Sequence, residues 1–185
     1  IGKATINGDV NAVSKVYGYA DPANTITYNG FVNGENSNVL SGNVTFTGNP
    51  GVTGNVGNHP IHADTSGLTA SDYIVGNVTD GNLAITKANA TANTVGGNMI
   101  YGGSLPNISA NLSGLKPFDN NLTANAVNVD NVTSTTHVGR HPVGINIVDP
   151  SGRLGNYNVT TNLADIVIGK ATINGDVNAV SKVYG

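Results

Sequence analysis

The chain has 185 residues, no Cys and no Trp, and only 10% of its residues are charged, for a net charge of -3. It carries no basic patch to neutralise phosphates, so nucleic acid is not an expected partner. No apolar run approaches the roughly 20 residues of a membrane-spanning helix, so no membrane insertion is expected either.

From the N-terminus, residues 1–18 are repeated letter for letter as residues 168–185. A weaker echo lies half-way: Lys3, Lys87 and Lys170 each precede a Tyr-Gly pair at one and the same distance, at Tyr17-Gly18, Tyr101-Gly102 and Tyr184-Gly185. The stretches from Lys3 to Lys87 and from Lys87 to Lys170 are therefore two modules of almost equal length. Pro22 with Pro106, Gly30-Phe31 with Gly114-Leu115, His59-Pro60 with His141-Pro142, and Tyr73 with Tyr157 keep the same register. Self-similarity at a fixed spacing marks a tandem array. Residues 1–3 are expected to close a preceding module, residues 4–87 and 88–170 to form two β-sandwich repeats, and residues 171–185 to open the next. The identical segments at the two ends are then expected in equivalent environments, in successive units of one polymer.

Within the first module, Ile26 and Tyr28 alternate with Thr25 and Thr27, Val44 and Phe46 with Asn43, Thr45 and Thr47, and Leu83 and Ile85 with Asn82, Ala84 and Thr86. The second module repeats this with Ile108, Ala110 and Leu112, then with Val143, Ile145 and Ile147. Period-two alternation rich in β-branched residues predicts half-buried strands. Asn7-Gly8, Asn29-Gly30, Asn33-Gly34, Asp80-Gly81 and Asn174-Gly175 are predicted turns, because both residue types tolerate positive φ. The fold class is all-β, and this spacing favours small antiparallel sandwiches. A β-helix would show a subperiod of about 20 residues; neither module has one. No Pro- or Ser-rich spacer separates the strand around Leu83 to Thr86 from the segment opening at Ala88, so the tandem domains are expected to form a rod, each roughly 35 to 40 Å long at about 3.3 Å per strand residue.

The run Lys15-Val16-Tyr17-Gly18-Tyr19-Ala20-Asp21-Pro22, then Asn29-Gly30-Phe31-Val32-Asn33-Gly34-Glu35 and Val39-Leu40-Ser41-Gly42, resembles the MBG family of the YGX type, small bacterial Ig-like repeats. Asp72-Tyr73-Ile74 and Leu83 through Ala88 resemble that family's close. The second copy is looser, with Leu105 in place of the acidic residue before Pro106 and Asn98 where the first copy has Lys15. The resemblance implies a repeat of large secreted or surface-attached bacterial proteins, often adhesins, without a catalytic role.

Motifs for chemistry are sparse. No nucleophile elbow, P-loop or paired-His helix motif occurs, so no catalytic, cofactor-binding or metal residue is assigned. His59 and His141 recur singly and fall short of the three or four ligands zinc needs; a structural role beside Pro60 and Pro142 is the simpler reading. The Gly-rich run from Gly51 to Gly57 precedes no helix and reads as a loop. Calcium needs six to eight oxygens, and Asp64, Asp72, Asp80, Asp119, Asp130, Asp149 and Asp165 are scattered singly beside turn residues. No cofactor is therefore expected, with calcium as the alternative. A Lys-Asn cross-link through Lys3, Lys87 or Lys170 would need a buried acid, and Glu35 is the only Glu. Asn43, Asn77, Asn89, Asn107, Asn111, Asn121, Asn131 and Asn158 head Asn-x-Ser/Thr sequons, which permit glycosylation without requiring it.

The expected function is a structural spacer in an extracellular bacterial adhesin stalk or matrix fibre, with neighbouring repeats of the same chain, other fibres or a surface ligand as partners. The alternative is an adhesion module that itself contacts a host or matrix glycan or protein. An exposed cluster of Tyr and Arg would favour that alternative. The chain has two Arg, Arg140 and Arg153, and its Tyr mostly stand at recurring landmarks.

Overall fold

A computed structural model describes residues 2–185, so Ile1, assigned to a preceding module, lies outside the described residues. The first repeat forms β1 (Ala4–Val10), β2 (Val13–Val16), β3 (Ile26–Asn29), β4 (Ser41–Gly42), β5 (Thr45–Thr47), β6 (Gly57–Asp64), β7 (Leu68–Thr69), β8 (Tyr73–Thr79) and β9 (Gly81–Thr86). The second forms β10 (Ala88–Val95), β11 (Gly97–Ile100), β12 (Ser109–Ser113), β13 (Thr123–Asn128), β14 (Gly139–Val148), β15 (Tyr157–Asn162) and β16 (Asp165–Gly169). Among the described residues the only helical pieces are 3-10 turns at Ser37–Val39, Pro117–Asp119 and Leu154–Asn156, so the fold is all-β.

The two repeats share the topology of their two main sheets, and the first adds a two-stranded β4-β7 sheet. A three-stranded sheet runs β3-β1-β8 in the first and β12-β10-β15 in the second; a four-stranded sheet runs β2-β9-β6-β5 and β11-β16-β14-β13. In both repeats the opening and closing stretches each switch from the three-stranded to the four-stranded sheet. These stretches lie side by side and point the same way, so β1 with β8, β2 with β9 and β11 with β16 pair in parallel. The sheets are therefore mixed rather than wholly antiparallel. Alternating hydrophobicity reports which face of a strand is buried and not the direction of its neighbour.

Where the paired stretches cross between sheets, one of each pair is glycine. A Cβ at Gly81 would lie 2.6 Å from Val10 Cγ1 and 2.8 Å from its carbonyl oxygen, and one at Gly96 would run into the carbonyl oxygen of Asp165. Asp80-Gly81 thus serves a sheet switch rather than the expected turn, since β9 begins at Gly81 itself and the φ of Gly81 is not positive. Asn7-Gly8 is not a turn at all. It lies inside β1, whose register against β8 shifts between Ile6 and Gly8. The extra residue is on β8, where Gly76 and Asn77 stand opposite Asn7, and the glycine at position 8 lets β1 lie close to the Ile26 and Tyr28 side chains. Asn33-Gly34 does turn, with φ of 57° and 75°.

Contacts divide the chain into two compact units, residues 1–90 with 114–122 and 149–160, and residues 91–113 with 123–148 and 161–185. The first buries Ile6, Val10, Tyr17, Ile61, Tyr73, Leu83, Ile85, Leu122 and Tyr157. The second is centred on Met99, Val132, Val143, Ile166 and Ile168, with Ile108 and Ala126 packed against them. Residues 170–185 carry no strand, and Ile173, Val177, Val180 and Val183 are exposed. The expected equivalence with residues 1–18 is therefore not seen. β1 exists by pairing with β3 and β8, and β2 by pairing with β9, whereas residues 171–185 have no such strands beside them.

Candidate functional site

In the first unit, the end of β2 leads into a tight turn, Tyr17-Gly18-Tyr19, with Gly18 at φ 82° and the Tyr19 amide bonded to the Val16 carbonyl (3.2 Å). Tyr17 is fully buried although it belongs to a turn. Its ring meets Phe118 and Tyr157 edge-on, with centroids 5.8 and 5.5 Å apart. Its hydroxyl donates to Asp119 Oδ2 at 2.9 Å, and the same oxygen accepts from Tyr157 at 2.6 Å. Arg153 donates to the Tyr17 hydroxyl at 3.0 Å and brings its Nε within 3.6 Å of Asp119 Oδ1, an oxygen with no hydrogen-bond partner of its own.

Each partner is placed by local structure. Asp119 ends the 3-10 turn begun by Pro117, whose fixed φ suits that position. Asp149 holds the loop carrying Arg153 by accepting from the backbone N–H groups of Arg153 (2.9 Å) and Leu154 (2.8 Å). Burial pushes the Asp149 carboxyl up, but those N–H groups outweigh it and leave it below the usual carboxylate range. The Tyr157 hydroxyl accepts from Lys116 N at 2.9 Å. Burial, followed by the bond to Asp119, raises Tyr157 well above an ordinary phenol. Burial likewise raises Tyr17, with Asp119 adding to the rise and Arg153 opposing it.

Around this centre Lys116 Nζ lies 4.0 Å from the centre of the Tyr19 ring. Asn156, also buried, accepts from Val56 N at 2.8 Å and donates to Asn55 Oδ1 at 3.0 Å. Residues of the first repeat are thus tied to the 115–119 and 153–157 loops of the second inside one compact unit.

The first repeat has an acid and a Tyr in the same register. Tyr73 donates to the Glu35 carboxylate and meets Phe31 edge-on at 5.8 Å, and its oxygen accepts from Val32 N at 3.1 Å. The bond to Glu35 is the main cause of a raised Tyr73 hydroxyl. Glu35 precedes Tyr73 by the same number of residues as Asp119 precedes Tyr157. That shared spacing was the available sequence signal for the cluster; sorting the Asp residues by calcium chemistry passed over it.

The other candidate residues are dispersed. His59 and His141 lie in β6 and β14, and each ring Nε2 contacts the carbonyl four residues earlier, Asn55 at 2.8 Å and His137 at 3.0 Å. That bond to His137, followed by Asp130 at 3.0 Å, raises the His141 pKa. Asp64 accepts from Ser66 N, Asp80 pairs with His62, and Asp165 pairs with Arg140. Among the described residues no three His, Asp or Glu side chains converge as metal ligands. Lys3 donates to the Ala70 carbonyl at 3.1 Å.

The eight sequon residues Asn43, Asn77, Asn89, Asn107, Asn111, Asn121, Asn131 and Asn158 are all exposed. Lys15, which had no partner assigned from sequence, has its amine buried among Asp21, the Gly51 carbonyl (2.6 Å) and the Tyr19 carbonyl (3.1 Å). Asn98 and Leu105 remove that clamp from the second repeat. There the Gly102 amide donates instead to the Ser134 carbonyl at 2.8 Å.

Among curated proteins and solved structures, none matches the chain. Residues 6–84 match the family described as MBG domain (YGX type). The match spans β1 through most of β9, and it includes Lys15 through Pro22 and the Glu35–Tyr73 pair. Over those residues the first repeat is similar to the MBG domain (YGX type) family.

Proposed function

We propose that the chain is a non-catalytic spacer, a run of repeats in an extracellular bacterial stalk or matrix fibre that holds other parts of a larger molecule at a distance. The observation that carries this reading is the use made of the chain's strongest recognition chemistry. Tyr17, Tyr157, Phe118 and Arg153 are the residue types of a binding hot spot, yet they are spent on one another around Asp119, where one repeat follows the next: the two Tyr are buried, and Phe118 and Arg153, 36% and 32% exposed, are engaged by the Tyr17 ring and hydroxyl. Only Lys87 separates β9 from β10.

The polar strand faces are occupied in a similar way. Asn111, Asn93 and Asn162 form a chain of side-chain amides, 3.2 and 2.9 Å apart, across neighbouring strands. Asn11 links Thr25 and Thr27, at 2.8 Å each. Such uncharged, self-satisfied faces suit a filler element.

Surface plasmon resonance over immobilised host glycans and matrix proteins tests the reading. We expect no signal above that of an unrelated all-β domain. Saturable binding that a competing soluble ligand removes would replace the spacer by the adhesion-module alternative.

A further inference from the structure

The Glu35–Tyr73 end of the first repeat carries an open cavity of about 510 Å³, lined by Lys3, Val32, Asn33, Glu35, Asp72 and Tyr73 among others. One module further along the chain, the counterparts of Val32, Glu35, Asp72 and Tyr73 are Lys116, Asp119, Asn156 and Tyr157. These are the residues that receive the Tyr17 turn and the Asn55-Val56 loop. The cavity is therefore an unfilled copy of a filled socket.

The second repeat has a matching, unused tip. Tyr101-Gly102 repeats the Tyr17-Gly18 turn: Gly102 has φ 87°, the Tyr101 amide bonds to the Gly169 carbonyl at 2.9 Å, and the Gly103 amide bonds to the Ile100 carbonyl at 2.8 Å. The corresponding bonds of the first repeat run from Tyr17 to Thr86 (2.8 Å) and from Tyr19 to Val16 (3.2 Å). Tyr101, unlike Tyr17, is exposed. The Gly102 to Ser134 bond holds this tip beside the loop carrying His137 and Val138, which stand in register with Asn55 and Val56.

We propose that this socket receives the Tyr101 tip of another copy of this two-repeat segment, joining copies head to tail. The partners change together in a way that fits. At the filled joint Tyr19 lies over Lys116; at the proposed joint Gly103 would face Val32, and both the ring and the cation are gone. At the filled joint Asn55 meets Asn156; at the proposed one His137 would face Asp72, so an imidazole N–H donor meets a carboxylate in place of an amide pair. Tyr101 would donate to Glu35 as Tyr17 does to Asp119. Lys3, on the cavity wall, would supply the cation that Arg153 supplies at the filled site. Such a contact is heterologous, so it extends from copy to copy in a filament unless its rotation closes a ring.

The proposal rests on the spacer reading and deepens it, and sedimentation velocity on the full chain tests it. The unaltered chain is expected to form oligomers that lengthen with concentration. Tyr101→Ala, which removes the tip, and Val32→Arg, which blocks the socket, change exposed side chains. Each alone should weaken association at least about tenfold. Mixed together, the two variants should give a one-to-one dimer and nothing larger, because one keeps only the socket and the other only the tip. A chain that stays monomeric up to about 1 mM, within reach of the effective concentrations of tethered repeats, would overturn the proposal. So would association that survives either substitution. Neither outcome depends on glycan or matrix binding, so failure here is separable from failure of the spacer reading.

Discussion

At the scale of single residues, Asp119 is the most consequential side chain. It is fully buried and one of its oxygens serves two phenols, while Arg153 stands near the other. Removing it strands the Tyr17 and Tyr157 hydroxyls away from water, and each such loss costs about 1–3 kcal/mol. Asp119→Ala should therefore destabilise the first unit by on the order of 3 kcal/mol, read as a lower urea midpoint. Glu35→Ala, at a side chain on the wall of an open cavity, should lower it much less. Equal shifts for the two would contradict the account of the cluster. The sequence contained the acid-to-Tyr spacing that defines this centre, but not its burial. Asp119 becomes buried because the Tyr17 turn, far earlier in the chain, packs over it, and no local pattern encodes that meeting.

At the scale of elements, alternation placed β3, β5, β9, β12 and β14 close to where they form, because a half-buried strand must present one apolar face. It could not assign the parallel ladders, nor tell a turn from a strand interior at Asn7-Gly8, since glycine suits a turn and also a close approach within a sheet. The sheet switches give the sharpest expectation at this scale. Gly81→Ala places a methyl against the side chain and carbonyl of Val10, and Gly96→Ala places one against the Asp165 carbonyl, a backbone atom that cannot rotate away. Overpacking of this kind costs about 1–3 kcal/mol. Thermal unfolding should show both variants less stable than the parent, with Gly96→Ala the worse of the two. If Gly96→Ala were neutral, the close crossing of β10 and β11 past β16 would be contradicted.

At the scale of the whole molecule, the letter-for-letter recurrence of residues 1–18 and the near-equal spacing of Lys3, Lys87 and Lys170 make the array legible without any structure. Less legible was the sharing of material between successive repeats. Residues 114–122 and 149–160 group with residues 1–90 because Tyr17, Asn55 and Val56 are hydrogen-bonded to them. The proposed spacer, joined in this way and with Lys87 alone connecting β9 to β10, should resist bending at each joint. Small-angle X-ray scattering of arrays of increasing repeat number tests that claim most directly. The account predicts rod-like profiles whose maximum dimension grows linearly, by roughly 35 to 40 Å per repeat; growth as the square root of the repeat number, the behaviour of a flexible chain, would contradict it.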